Sequence, residues 1–311
     1  MKLEALQLRS DALSMSVLNL GGIVQSLAFH GPGRPALPVV LGYPDAKTYL
    51  DNPWYLGAVV GPLTNRLSRY AFEVGGETYR VPAHPATGCL HSGRLGFSRR
   101  FFAMRQVSDA EAELTLEMAH REDGFPGNRR LAVNYRLEGA GLHIGFRLQS
   151  DRLTPVNMTH HAYFNLNGAG SGKIGGHRLQ LRAPRFLETR QGLPTGRILP
   201  VEADPPSDFR LEKPLGSHPH DTCFLADDPQ AARIVGDQSG LFMTLRTSAP
   251  CVQLFTATGL QMKENGRTVD RSQTGFCLET QGHLDALSQP GFPSPLTCDA
   301  RMDSVFSFAQ G

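Results

Sequence analysis

The sequence predicts an all-β chain, a β-sandwich or barrel of many short strands. Three observations predict it. Apolar and polar residues alternate with a period of two in one short run after another. The 33 glycines and 22 prolines fall mostly between these runs, where turns need them. No long segment holds the 3.6-residue period of a helix.

The elements follow in order. "AELTLEM" puts Leu114, Leu116 and Met118 on one face and Thr115 and Glu117 on the other. "LAVNYRLEGAGLHIGFRLQ" is the clearest hairpin. Leu131, Val133, Tyr135 and Leu137 alternate, Gly139 and Gly141 mark the turn, and Leu142, Ile144, Phe146 and Leu148 alternate again. "HRLQLRA", "LFMTLRT", "CVQLFTA" and "SVFSFA" repeat the pattern. Short helical turns are expected at 44–52 and 62–68. The Pro-rich stretch 200–221 lies between strands of like character, so it reads as a long loop and not a linker. A single domain over 1–311 is the expectation.

Composition narrows the function. With 40% hydrophobic and 19% charged residues, a chain of 311 residues can bury a large core. A net charge of +2 argues against nucleic acid as a partner. No stretch approaches the ~20 apolar residues of a membrane span. Charges at Glu4, Arg9 and Asp11 interrupt any secretory apolar region. The five cysteines (Cys89, Cys223, Cys251, Cys277, Cys298) are scattered and form no C-x-x-C pair. They read as free thiols of a reducing compartment, and a cytoplasmic location is expected.

Two stretches carry candidate chemistry. In "THHAYFNL" (159–166), read as a strand, Thr159, His161, Tyr163 and Asn165 share a polar face. His160 points the other way, among Ala162, Phe164 and Leu166, and reads as packing, so the two histidines should not share one metal ion. In "GFCLETQG" (275–282), Cys277, Glu279 and Gln281 share a face, opposite Phe276 and Leu278. A carboxylate in so apolar a strand is costly unless paired or at work, and desolvation raises its pKa toward a general base's range.

Other polar groups are less specific. Asn65 and Arg66 stand beside a turn, and the planar fork of an arginine suits sugar oxygens as well as carboxylates. His91 sits in a Gly-rich loop (Gly88, Gly93, Gly96) with no helix pattern after it, which argues against a phosphate cradle. His218, His220 and Asp221 form an H-x-H-D cluster that could bind metal. Pro219 disturbs the strand there, and no fourth ligand is nearby. No G-x-S-x-G marks a serine nucleophile, and no signature supports a cysteine nucleophile.

Taken in order, the motifs resemble the aldose 1-epimerase (galactose mutarotase) family. They are "NRLSRYAF" (65–72), "LHSGRLGFSRR" (90–100), "DGFPGN" (123–128), "THHAYFNLNG" (159–168), "PTGRILPV" (194–201), "DFR" (208–210), "DTCFL" (221–225), "VQLFTA" (252–257) and "GFCLETQGHLDALSQPGFPS" (275–294). The resemblance implies the large antiparallel β-sandwich of that family, with a monosaccharide in an open cleft on one sheet. It implies His161 as catalytic acid and Glu279 as catalytic base. Asn65, Arg66, His91, Tyr163, Asp221 and Gln253 match positions that hold sugar hydroxyls. No metal or organic cofactor is implied, and a monomer or homodimer is expected. In the implied reaction Glu279 takes the proton of the C1 hydroxyl while a protonated His161 gives one to the ring oxygen. The aldehyde turns about C1–C2, and the groups reverse roles.

The chain departs from the family pattern near these residues. His160 stands where the family has Asn, and Ala162 where it has Ser or Thr. Ser92 replaces a Gly, Phe101–Phe102 stand where a Trp is common, and "VQLFTATGL" lacks the Asn of Thr-Gly-Asn. Leu284–Asp285 replace Pro-Asp. These changes bear on which sugar is preferred. Two rival functions follow: a hexose-6-phosphate 1-epimerase, drawing on Arg94, Arg99 and Arg100 or on Arg129 and Arg130, and a non-catalytic sugar-binding module of the same fold.

Overall fold

The computed structural model describes residues 2–83, 88–264 and 266–311. Two sheets dominate it. In the larger, nine strands lie in the order Lys213–Pro214, Arg178–Leu181, Ala232–Val235, Leu241–Thr247, Leu296–Gln310, Gly141–Pro155, Arg129–Glu138, Glu111–Met118 and Ala103–Ser108. Every adjacent pair is antiparallel. The expected hairpin is its centre, with Leu131 opposite Leu148, Val133 opposite Phe146, Tyr135 opposite Ile144 and Leu137 opposite Leu142. Gly139 takes the positive φ (55°) that the tight turn needs.

The second sheet has five strands: Leu193–Pro200, Arg185–Arg190, Asp221–Leu225, Cys251–Phe255 and Cys277–Gln281, in that spatial order. Its strand alternation divides labour between two faces. Phe224, Val252, Leu254 and Leu278 pack into one core with the apolar face of the large sheet. Thr280 joins them by accepting a hydrogen bond from Ser304 Oγ at 2.8 Å. The opposite face carries Asp221, Gln253, Phe255, Cys277 and Glu279, and this face builds the site. Its far end is closed by Leu284 and Phe292 packing on Cys223, Leu225 and Cys251. A four-stranded sheet (Ala5–Arg9, Leu13–Leu18, Val24–Phe29, Leu37–Pro38) completes the main architecture.

The "DGFPGN" segment is structural. Arg129 is fully buried and pairs with Asp123 at 2.8 Å. It also donates to the carbonyls of Gly127, Ala119 and Glu122. A buried pair of this kind is strongly destabilised by loss of either partner.

Two local expectations need correction, those for 62–68 and 159–166. A short 3-10 helix does occupy Ala46–Leu50, with Asp45 accepting from Lys47 N–H. Residues 62–68, however, form no helical turn, because Asn65 adopts φ 58°, which ends any right-handed turn. The stretch 159–166 is a strand only at Thr159–His160, paired with Val59–Val60. Beyond it, Phe164 makes isolated bridges to Val40 and Phe276. The loop at 200–221 contains two 3-10 turns and the short edge strand Lys213–Pro214.

Candidate active site

A cleft of about 510 Å³ opens on the exposed part of the five-stranded sheet. His161, Tyr163, Asp221 and Glu279 line it from below, and Asn65, Arg66 and His91 line it from the loops. Register explains the floor. Asp221 lies opposite Phe255, Phe255 opposite Cys277, and Gln253 opposite Glu279, so five side chains of one sheet face converge.

His161 is fixed at its backbone. Its N–H donates to Ala58 O and its carbonyl accepts from Gly57 N–H, both at 2.9 Å. The ring stacks on Tyr163, with centroids 4.9 Å apart and planes 18° from parallel. Nε2 lies 3.6 Å from Glu279 Oε1, and Nδ1 lies 3.5 Å from Cys277 Sγ. Either the thiol or Nδ1–H can donate in the second contact; in the tautomer with the proton on Nδ1, the Nε2 lone pair faces Glu279. That is the arrangement needed to share one proton between the two.

His160 takes no part. Its ring packs edge-on to Tyr135 at 5.8 Å, and neither ring nitrogen has a hydrogen-bond partner. Burial first, then neighbouring His161, lower its pKa to about 3, so it is neutral. Asn165, grouped with His161 on sequence, leaves the cleft when regular alternation stops. Its amide instead donates to Gly172 O and Thr274 O.

The two loop residues hold each other. His91 N–H donates to Asn65 O at 2.9 Å, and Asn65 N–H donates to His91 Nδ1 at 3.1 Å. The neutral His91 ring therefore keeps its proton on Nε2. Burial first, then His161 and Arg66, hold its pKa well below the ordinary value. His91, Ser92 and Gly93 are consecutive residues of positive φ. Ser92 pins this strained turn, since its Oγ accepts from Leu63 N–H at 2.8 Å and donates to Leu63 O at 2.9 Å. Gly93 cannot carry a side chain, because a Cβ would stand 2.3 Å from Pro82 O.

Two expected hydroxyl-binding residues are engaged with protein. Tyr163 donates its hydroxyl to Trp54 O at 2.8 Å and offers the cleft its ring. Gln253 lies behind the wall and donates Nε2–H to Asp221 Oδ1 at 2.6 Å, holding that carboxylate toward the cleft.

Electrostatics separate the central pair. Glu279 is 3% exposed and His161 5%. Burial, then Asp221, push the Glu279 carboxyl well above its usual range. Burial lowers His161 to about 4. At neutral pH His161 is therefore uncharged. Burial thus disfavours the charged form of both partners, the carboxylate and the imidazolium. Asp221, open to the cleft but ringed by protein, is also raised by burial, against the lowering effects of Gln253 and Arg66.

Sequence reasoning missed Trp54, Tyr55, Phe255 and Thr258 as cleft-lining residues. Phe255 could have been found, since it continues the Gln253 face. Trp54 and Tyr55 sit in "NPWYLG", which has no alternation to assign a face. The His218–His220–Asp221 cluster does not assemble. His220 Nδ1 lies 3.4 Å from Ser207 Oγ, while Asp221 turns into the cleft. None of Arg94, Arg99, Arg100, Arg129 or Arg130 lines the cleft. Arg100 and Arg130 pair with Glu122 and Glu117 instead.

The antiparallel sandwich thus holds a paired carboxyl and imidazole on the floor of an open cleft. The sequence model of the aldose 1-epimerase family matches residues 4–304. Galactose mutarotase of Mus musculus is 34% identical over 309 residues, covering 94% of this chain and 89% of the relative. Aldose 1-epimerase of Escherichia coli K12 is 29% identical over 317 residues, covering 93% and 89%. Among solved structures, a GalM/aldose epimerase homologue from C. elegans superposes with a TM-score of 0.91 at 22% identity, covering 99% of both chains. A galactose 1-epimerase from Lactobacillus acidophilus gives 0.84 at 21% identity, covering 100% of this chain and 96% of the other. The chain belongs to the aldose 1-epimerase family, and its fold is the galactose mutarotase-like β-sandwich.

Proposed function

We propose that the chain is an aldose 1-epimerase, an isomerase that interconverts the α and β anomers of a free monosaccharide, with Glu279 as base and His161 as acid. The observation that carries this reading is the buried Glu279–His161 pair, 3.6 Å apart, on the floor of an open cleft. The family assignment supports the same activity.

Geometry supplies a mechanism. A pyranose lying over the sheet places its C1 hydroxyl at Glu279 and its ring oxygen at His161. Ionised Glu279 removes the C1 hydroxyl proton, and protonated His161 delivers a proton to the ring oxygen as the C1–O5 bond breaks. The products are an open aldehyde, protonated Glu279 and neutral His161. Burial shifts both groups toward that protonation state. Rotation about C1–C2 presents the other carbonyl face. The C5 hydroxyl returns its proton to His161 as it attacks, and Glu279 returns its own to O1. The shifts are opposed, up at the carboxyl and down at the imidazole, as suits a pair that passes a proton in both directions.

Asp221, Arg66, Asn65 and His91 grip ring hydroxyls in this reading. Gln253 aims Asp221, and the Tyr163 ring braces His161. The chain works as one domain, monomeric or homodimeric, with no nucleic-acid or membrane partner. Its free thiols suit the cytoplasm. No helix among the described residues is long and apolar enough to cross a membrane. The alternatives find little support: the candidate phosphate-binding arginines lie outside the cleft, and the acid/base pair is intact.

Polarimetry on freshly dissolved α-D-galactose, α-D-glucose, L-arabinose and D-xylose tests the reading. Acceleration over the buffer blank with at least one sugar is expected. Acceleration with glucose 6-phosphate alone would transfer the assignment to the phosphosugar epimerase.

A further inference from the structure

We propose that His161, Cys277 and Glu279 form a binding site for a soft divalent cation of the zinc type, which competes with sugar and inhibits the chain. The inhibition rests on the ring-opening reading above, and the metal site does not. One nitrogen of His161, the Cys277 sulfur and one Glu279 oxygen lie within 4.8 Å of one another, and all three residues are buried. An ion at the centre of a triangle with 4.8 Å sides stands about 2.8 Å from each corner, against the roughly 2.0–2.3 Å that zinc requires. Shifts of about 0.5 to 0.8 Å per ligand close that gap.

The donor chemistry matches the ion. Imidazole, thiolate and carboxylate are the common zinc ligands, and the thiolate selects against magnesium and calcium. Charge favours it too. Two positive charges on the metal cancel one thiolate and one carboxylate, so the complex is neutral where an unpaired charge is costly. Binding releases the thiol proton of Cys277, and the Glu279 proton when present, while the imidazole stays neutral. Cys277 now faces Nδ1 and Glu279 faces Nε2, so the ion takes one nitrogen and the ring or the Glu279 side chain turns to complete the set. Cys277 and Glu279 are alternate residues of one strand, and His161 is clamped by its backbone bonds to Ala58 and Gly57. Three protein ligands leave the fourth position to water. With the metal seated, neither Glu279 nor His161 can carry a proton, and turnover stops.

The test uses the full chain, stripped of metal with a chelator, in a Cys298→Ser background that removes the exposed thiol. Cadmium is titrated while ultraviolet absorbance follows the sulfur-to-metal charge-transfer band. One equivalent should produce the band, and saturating D-galactose should weaken the apparent affinity. Cys277→Ser should abolish the band. Loss of a direct ligand in His161→Gln, which keeps the thiol, should weaken binding at least as much as loss of an outer-shell partner does, roughly 10–100-fold. In polarimetry, zinc should inhibit the parent chain. Cys277→Ser, judged against its own metal-free rate, should need about tenfold more zinc or worse. No band up to millimolar cadmium, a band that survives Cys277→Ser, or equal zinc sensitivity in that variant would overturn the proposal. A chain that binds cadmium this way but accelerates no sugar would leave the site standing and remove the enzymatic reading.

Discussion

Replacing Glu279 by Gln separates catalysis from stability at one position. The substitution keeps the volume of a side chain that is 3% exposed, so packing should survive. It removes the basicity of the carboxylate 3.6 Å from His161 Nε2, the proposed acceptor of the C1 hydroxyl proton. A positioned acid or base is worth roughly 10²–10⁴ in rate, so the anomerisation rate should fall by at least about 10², or about 2.7 kcal/mol of barrier. Stability should move the other way. The Glu279 carboxyl is raised above its unfolded value, so the folded chain binds the proton more tightly. Its stabilising effect is complete below the unfolded pKa and is lost as pH rises toward the folded one. Glutamine never ionises, so the Tm difference between variant and parent should be more positive at pH 8 than at pH 5. Polarimetry gives the first quantity and thermal unfolding by circular dichroism the second. A folded Glu279→Gln protein within tenfold of the parent rate would refute the assignment of the base. A Tm difference independent of pH would refute the claim that burial strains the carboxylate.

Further outcomes follow from the same geometry. His161→Ala should lose at least about 10² in rate while remaining folded by circular dichroism. His160→Asn should keep most activity, since its ring faces Tyr135, and a collapse in rate would overturn that placement. The acid limb of kcat/KM should fall near pH 4, where His161 takes up a proton in the free chain, and not near 6.5; an acid limb centred at 6.5 would contradict the His161 shift. Ser92→Ala leaves the buried Leu63 N–H and carbonyl each without a side-chain partner, so urea unfolding should show a loss of about 1–3 kcal/mol.

Sheet architecture was legible in the sequence because a buried face forces strict alternation. Leu131 to Leu137 and Leu142 to Leu148 paired in the register their pattern implies, with Gly139 at the turn. The faces of Cys277–Gln281 were legible for the same reason, and so was the outward turn of His160. Legibility ended where the chain left regular structure. Asn165 was misplaced because 161–166 is held by isolated bridges and backbone bonds to Ala58 and Gly57. The closeness of Cys277 to His161 is a contact between residues 116 apart, which no local period encodes. The same holds for Trp54, which joins the cleft through Tyr163. Charge state was legible in part. Burial of Glu279 could be read from its apolar strand, but the burial that discharges His161 comes from residues scattered through the chain.

The most direct measurement is magnetisation-exchange NMR on D-galactose and methyl α-D-galactopyranoside with the wild-type chain. The glycoside has no proton on O1, so Glu279 has nothing to remove and the ring cannot open. Enzyme-dependent exchange between the α and β anomers of galactose, with the glycoside unchanged but competing for the cleft, is the predicted result. Failure of the chain to accelerate galactose exchange over the blank, or conversion of the glycoside, would contradict acid/base ring opening by Glu279 and His161.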